Sequence, residues 1–442
     1  MLEQPLFGQR VRELRIAHGM SQAALAEPGM STSYLSRLES GTRQPTTKVV
    51  AYLAERLGVH TSTFDGSASS VITQVLARGL SDRDWQSSDE IFELLKDAVE
   101  SGADIDPALR WQLLWLLADV YTLRCDRVAE LGTLTSLVQL GDKIGVAELQ
   151  VRARVKLSRL HRMTGSPELA RTVAAEALAL AQEDAVQPSD LARVLLSLVP
   201  AEAESGRLDK AREHVDQLCA LLEGSPDTAP TLLAEARWAA ASVRVRQGEG
   251  TGASTELEKA IANLDSRDDI LLWTRLRLAA ASLYLQVTPH RTDRAAAYLN
   301  QISVPMDLVG TRANQQEYLV VQAQLAFHQG NFEEAGQLCD KLQSEPSLLA
   351  FRDQVRLDML RMRLRVKSGS LAGAVEEITA LATRLQQTSN SDLSAEAWQT
   401  LSEALSEAAL NTPAGDIPAV NAPAVNIPAV NSPAVHSPAQ EQ

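Results

Sequence analysis

An all-α fold is predicted by three features of this chain of 442 residues. Ala and Leu dominate the composition and aromatic residues make up only 4%, so strand-forming side chains are scarce. The first sixty or so residues place apolar side chains at helical spacing between strong start and stop signals. The long remainder repeats a short pattern, opening on a small residue and closing on Ala, at nearly constant intervals. Together these predict a compact helical head and an extended body of paired helices.

The elements follow in order. Val11 and Leu14 give the first helix its apolar stripe, which ends near Gly19. Ser21 is a good N-cap for a second helix, SQAALAE, because its hydroxyl can accept from an orphan backbone N–H. Pro28-Gly29 stops that helix. Ser31 caps a third, STSYLSRLES, which ends at Gly41. Its Leu35 and Leu38 face inward and leave Thr32, Ser33, Ser36 and Arg37 outward. Pro45-Thr46 opens a fourth helix with Val50, Leu53 and Leu57 as its buried stripe.

SQAALA, LSRLESGTRQP and LAERLGV together resemble the helix-turn-helix domain of the phage-repressor and Cro-like (XRE) family over about 60 residues. The resemblance implies that the third helix lies in the major groove of DNA. It implies Thr32, Ser33 and Arg37 as base readers, with Tyr34 and Ser36 at the edge. Gln22, at a helix N-terminus, and Thr42 and Arg43, in the next loop, are expected on phosphates. Arg15 and Glu39 match a structural ion pair of that family. One departure is clear: between Ala26 and Ser31 this chain has EPGM, four residues where the family has five. The turn is therefore expected to be short, with Met30 at its apolar position.

The body repeats at GSPELA, GRLDKA, GEGTGA, GNFEEA and GSLAGA, with weaker copies at HRTDRA and RCDRVA. The first positions are 124, 165, 206, 248, 290, 330 and 369, so the steps run from 39 to 42 residues. Each unit reads as a helix, a glycine-capped turn and a second helix whose Ala permits close approach. Leu208, Phe332 and Leu371 occupy the middle of the turn motif. The pattern resembles a lengthened tetratricopeptide repeat. This implies a right-handed α-solenoid of about seven helix pairs, stacked neighbour on neighbour. The expected division is a head at 1–64, linker and capping helices at 65–104, repeats at 105–390, a C-terminal cap helix at 391–410 and a tail at 411–442.

In tetratricopeptide proteins the first helix of each pair lines the concave groove. One groove position lies thirteen residues before the glycine and gives Trp111, Arg152, Arg193, Glu235, Arg277, Glu317 and Arg356. Another lies six before it and gives Ala118, Arg159, Pro200, Ser242, Tyr284, Gln324 and Arg363. The expected ligand groove comprises Arg152, Arg159, Arg193, Glu235, Ser242, Arg277, Tyr284, Gln324, Arg356 and Arg363. First helices such as LQVRARVKLSRLHRM are basic, so a partly basic channel is expected to attract an anionic ligand. A short peptide with a free C-terminus suits arginine forks. The competing explanation is that these arginines pair with acids of adjacent helices.

Charge sharpens the division. The chain carries a net charge of -14, whereas residues 1–64 hold seven Lys/Arg and five Asp/Glu. Only the head is expected to approach nucleic acid. Three well-separated cysteines, Cys125, Cys219 and Cys339, argue against a disulfide framework or zinc site. No signal-peptide core and no membrane-length apolar run are visible, so a cytoplasmic protein is expected. GEGTG lacks the Lys-Ser/Thr ending of a phosphate loop. His214, Asp216 and Cys219 do not share a helix face, and no cofactor, metal or catalytic constellation is expected. The tail repeats Pro-Ala-Val-Asn every five residues and reads as extended polyproline-type chain.

A Cro-like head on tetratricopeptide-type repeats is similar to the peptide-sensing quorum regulators of bacteria. The resemblance implies a homodimeric, non-enzymatic transcription regulator. Its partners are double-stranded DNA and a peptide or other small anionic ligand, with no membrane. The alternative is a docking scaffold whose head localises a protein partner on DNA.

Overall fold

The computed structural model describes residues 4–59, 61–64, 89–100, 106–184, 186–224 and 228–411. The leader stretch at 71–88 and the Pro-Ala-Val-Asn tail lie outside the described residues. Among those described there are twenty α-helices and no strand.

The head holds α1 (Leu6–Ala17), α2 (Gln22–Ala26), α3 (Thr32–Glu39) and α4 (Thr47–Leu57), followed by a single 3-10 turn at Thr61–Phe64. The side chains of Ser21, Ser31 and Thr46 accept from the N–H groups of Ala24, Tyr34 and Val49 and so start three of these helices. Phe7, Val11, Leu25, Leu35, Leu38, Leu53 and Phe64 are fully buried in one core. Each such side chain contributes about 1.5–3 kcal/mol on leaving water. The short EPGM turn has its own anchor: the Tyr52 hydroxyl donates to Ala26 O at 2.9 Å and accepts from Gly29 N at 3.0 Å. A side chain at position 29 would strike the Tyr52 ring, at 2.2 Å from an added Cβ, which is why glycine stands there. Met30 packs against the head core.

The body opens with α5 (Asp89–Glu100) and continues as seven helix pairs. They are α6 (Pro107–Arg124) with α7 (Arg127–Ile144), α8 (Ala147–Met163) with α9 (Pro167–Glu183), and α10 (Pro188–Glu204) with α11 (Leu208–Glu223). Then come α12 (Pro230–Arg246) with α13 (Gly250–Ala262), and α14 (Ile270–Gln286) with α15 (Thr292–Val309). The last are α16 (Arg312–His328) with α17 (Phe332–Gln343), and α18 (Phe351–Lys367) with α19 (Leu371–Gln387); a single helix, α20 (Ser391–Asn411), follows. Successive first helices start 39 to 42 residues apart, and α20 keeps the same register. It is thus an eighth first helix as well as a cap.

Five junction glycines, Gly165, Gly206, Gly248, Gly330 and Gly369, hold φ between 79° and 94° and close the first helices in left-handed turns. In the first pair Cys125 takes that role, with φ 56°. Ala170, Ala211, Ala253, Ala295, Ala335 and Ala374 are all 3% exposed or less and sit where the second helix crosses the first.

The superhelix returns on itself. Asn390 donates to Gly165 O at 3.0 Å, and Ser391 to Ser205 O at 3.4 Å. Phe351 packs against Gly165. Arg246 reaches Asp392 at 3.1 Å, and Arg352 bonds the same carboxylate. Glu204 receives Arg162 at 3.0 Å and Arg352 at 3.4 Å. Side chains of α18 and α20 are thereby tied to α8, α10 and α12 by a largely buried ionic seam.

Candidate functional site

The head presents one polar face. Thr32, Ser33, Ser36 and Arg37 are exposed along α3, while Leu35 and Leu38 anchor it to the core. Tyr34 is half-buried, and the Arg43 guanidinium lies 5.3 Å from its ring centroid. Thr42 Oγ1 donates to Arg37 O at 3.1 Å and fixes the loop that carries Arg43.

Behind this face Arg15 grips Glu39 with two bonds, Nε to Oε1 at 2.7 Å and Nη2 to Oε2 at 3.0 Å. Its Nη1 donates to Met20 O at 2.9 Å, so one side chain joins α1, α3 and the turn before α2. Gln22 joins the same cluster: its amide donates to Glu39 Oε2 at 2.8 Å. In this structure the Gln22 amide is spent on Glu39 and positions α2 against α3.

In the body, the first helices bring equivalent residues to one inner wall. From α8 onward, the sixth residue of each first helix gives Arg152, Arg193, Glu235, Arg275, Glu317, Arg356 and Glu396. The thirteenth gives Arg159, Pro200, Ser242, Ser282, Gln324, Arg363 and Glu403. Two expected groove residues are corrected here. Arg277 is only 8% exposed; its guanidinium lies 3.5 Å from the Trp273 centroid, and its Nε donates to Gln301 at 3.3 Å. Burial pushes its pKa down to about 10. Tyr284 is 2% exposed and stacks on Tyr298 at 5.9 Å between centroids. Both belong to the core between α14 and α15. The cause is local: α14 ends at Gln286, four residues before His290, whereas neighbouring first helices end two residues before their glycine. Counting back from His290 therefore overshoots by two, and Arg275 holds the wall position.

Several wall arginines are already partnered. Arg152 forms a two-bond pair with Asp190, both at 2.9 Å, which ties neighbouring repeats while its side chain stays exposed. Arg356 is buried and bonded to Glu396 at 3.1 Å and to Gln286 at 2.9 Å, and it too is spent within the fold. Arg363 pairs with Glu403 at 3.2 Å and lies over Phe327.

Others are not partnered. Arg159, Arg193, Arg275, Glu235 and Asp353 make no side-chain hydrogen bond or ion pair with another described residue, yet Glu235 feels Arg193, Arg275 and Arg159, and Asp353 feels Arg356, Arg352 and Arg162. Burial pushes the Arg159 pKa down to about 10, with Arg275 and Arg162 adding like-charge repulsion. Burial holds Glu235 above the usual carboxylate range despite Arg193, Arg275 and Arg159 nearby. Glu317 is raised by burial and by Asp353, and Asp353 is itself raised by burial. This middle stretch of the wall carries charges of both signs near one another that form no direct ion pair among the described residues.

A cavity of about 440 Å³ opens where the C-terminal ends of α10, α12, α14 and α16 meet α18 and α20. Gln324 and Arg363 line it, together with Arg246, His290, His328 and Glu403. His290 and His328 rings lie 4.0 Å apart. Burial, with His290 and Arg363 nearby, pushes His328 down to about 3, so it is neutral near pH 7. Ser242 does not line the cavity; its carbonyl accepts from Arg246 at 2.9 Å within the same helix.

Sequence reasoning missed Arg275, Asp353, Asp392, Glu396 and Glu403. Counting from helix starts instead of from the glycines finds Arg275, Glu396 and Glu403. Among the described residues no group of three His, Cys, Asp or Glu gathers to hold a metal, and no helix is long and apolar enough to cross a membrane. His214 bonds Glu202 at 2.8 Å, while Asp216 meets Arg212, so the His214–Cys219 stretch forms no site.

The molecule is thus a helix-turn-helix head followed by a tetratricopeptide-like helical superhelix with a charged inner wall. Residues 6–65 match the helix-turn-helix domain family. A comparison with curated proteins gives no match. Among solved structures, a Rap protein complexed with Competence and Sporulation Factor shares the fold at 10% identity. It covers 92% of this chain and 99% of its own, with a TM-score of 0.51. PlcR of Bacillus thuringiensis, in complex with the peptide PapR7 and DNA, has 15% identity, 71% and 98% coverage and a TM-score of 0.33. ComR from S. thermophilus, in complex with DNA and its signalling peptide ComS, has 13% identity, 73% and 99% coverage and a TM-score of 0.33.

Proposed function

We propose that the protein is a sequence-specific, DNA-binding transcription regulator of the bacterial cytoplasm, acting as a homodimer, whose channel senses a short peptide. The observation that carries the DNA reading is the exposed polar row of α3, held at a fixed angle by the Arg15–Glu39 lock. In a helix-turn-helix domain that row enters the major groove. Thr32, Ser33 and Arg37 are the base readers in this reading, with Tyr34 and Ser36 beside them. Thr42 and Arg43 hold phosphates. A head of small net positive charge on a body of net -16 binds weakly alone, which favours a dimer on paired half-sites.

The inner-wall charges that form no direct ion pair support a ligand site, and the Rap structure of the same fold is complexed with Competence and Sporulation Factor. In this reading the channel is built by residues 105–390 and closed by the helix at 391–411, and the head is residues 1–64. Binding there changes the pitch of the superhelix and with it the spacing of two heads. Selection of binding sites from random duplexes tests the DNA function. Arg37→Ala should relax one base position by about 1–3 kcal/mol of discrimination. Arg43→Ala should weaken all duplexes alike and flatten the salt dependence. Binding equal to the parent in both variants would refute the assignment of α3.

One observation favours the docking-scaffold alternative: Val304 and Leu308 on α15 are 64% and 77% exposed. Loss of a captured protein partner on Leu308→Glu, with peptide insensitivity, would support it.

A further inference from the structure

We infer that the cavity of about 440 Å³ at the ends of the first helices seats an uncharged carboxamide side chain of the ligand, Asn or Gln, held by Gln324 and His328. This rests on the reading of the channel as a ligand site and names the chemical group that one part of it selects.

Gln324 and His328 stand four residues apart on α16, one turn along the same face, and both line the cavity. Both are half-buried, and neither side chain makes a hydrogen bond to another described residue. The His290 ring lies 4.0 Å from that of His328 and closes the wall beside it. His328 is neutral near pH 7, so its ring offers one donor and one acceptor nitrogen. From α20 comes Gln399, whose Nε2 donates to Glu403 at 3.0 Å and whose carbonyl oxygen accepts from no described residue. Val245, Leu285, Met359 and Leu360 supply apolar wall between these groups.

The charged groups around the same cavity are answered within the fold. Arg246 and Arg352 share Asp392, and Arg352 also reaches Glu204 at 3.4 Å. Arg356 meets Glu396 at 3.1 Å, and Arg363 meets Glu403 at 3.2 Å. A charged ligand group has to break one of these pairs and leave its other member unpaired, which is costly. An apolar group covers Gln324 and His328 without replacing the hydrogen bonds that such groups make in water. A carboxamide does neither: its NH2 donates, its C=O accepts, and it carries no charge. The cavity is of the size of small-ligand pockets, so a side chain and its apolar neighbours fit. Gln324 also lies seven residues beyond Glu317 on α16, about 10 Å along the axis and on the same face. A peptide extended at about 3.3 Å per residue covers that distance in about three residues. One short ligand can therefore reach from the charged stretch of wall into the cavity.

The test uses the full chain and four pools of fluorescent, short synthetic peptides, read by anisotropy. The pools share their termini and differ at one position, which carries Asn or Gln, Asp or Glu, Lys, or Val or Leu. The peptide backbone is common to all, so differences report the side chain. The carboxamide pool should bind at least about tenfold more tightly than the apolar pool, and the charged pools no more tightly than the apolar one. Gln324→Leu should remove the carboxamide advantage. His328→Phe, which keeps a ring beside His290, should reduce it severalfold. Gln324→Glu should transfer the preference to the Lys pool, a change that misfolding does not produce. Arg159→Gln, outside the cavity, should leave the ratio of carboxamide to apolar binding unchanged. Tightest binding by a charged pool, equal binding of all pools, or an advantage that survives Gln324→Leu would overturn this inference and leave ligand sensing standing. Binding of none would overturn both.

Discussion

The two ends of the channel use the same register positions and reach opposite outcomes. From α18 to α20, each wall arginine meets an acid one repeat further on: Arg356 meets Glu396, and Arg363 meets Glu403. Asp392 closes the seam by accepting from both Arg246 and Arg352. From α8 to α16 the same positions carry Arg152, Arg159, Arg193, Glu235, Arg275 and Glu317; Arg152 pairs with Asp190, and no ion pair forms among the rest. A repeat array therefore fixes where side chains stand, while the identity of the residue one repeat away decides whether a charge is satisfied. The satisfied end holds the superhelix closed. In the proposed function the unsatisfied stretch is where the ligand sits.

The largest effect should come from breaking the closed end. Asp392→Ala leaves two buried guanidinium groups facing each other and should cost about 3–5 kcal/mol, read as a fall in the midpoint of chemical denaturation. A change under about 0.5 kcal/mol would show that the seam does not hold the turns together. Next, Ala211→Leu should overpack the crossing of α10 and α11 and cost about 1–3 kcal/mol by the same measurement. It shows what repeat packing contributes without any charge.

Acid should separate the two ends. Burial opposes ionisation of Asp392, but Arg352 and Arg246 outweigh it and hold its carboxyl below the ordinary value of 3.8. Its contribution is complete above the unfolded value, about 3.9, and is lost as pH falls through the lower folded value. Glu235, Glu317 and Asp353 are shifted the other way. Their ionised forms cost stability near neutral pH, and the cost is removed as pH falls through their raised values. Thermal stability should therefore rise on mild acidification and fall on stronger acidification, and Glu317→Gln should shrink the rise. The smallest effect belongs to Arg159→Gln. Removing an unpartnered cation should leave stability unchanged or slightly higher by calorimetry, whereas a clear loss would mean that Arg159 has a structural partner.

Much of the head was legible because caps and stops are local. Ser21 and Ser31 announce their helices, and Leu35 with Leu38 settles which face of α3 is buried. The anchoring of the EPGM turn by Tyr52, twenty-odd residues away, was not legible, nor was the capture of Gln22 by Glu39. In the body, glycines and alanines gave the period, and that period placed most wall positions. It failed at Arg277 and Tyr284 because a longer junction before His290 broke the count. The seam was invisible for another reason: Arg246 and Asp392 are 146 residues apart, and only the pitch of the superhelix brings them together.

The most direct test is the affinity of a pool of fluorescent, short synthetic peptides for three forms of the full chain: parent, Arg159→Gln and Arg363→Gln. The account predicts a loss of about tenfold for Arg159→Gln and little change for Arg363→Gln, whose charge Glu403 already answers. A loss at Arg363 equal to or larger than that at Arg159 would contradict it.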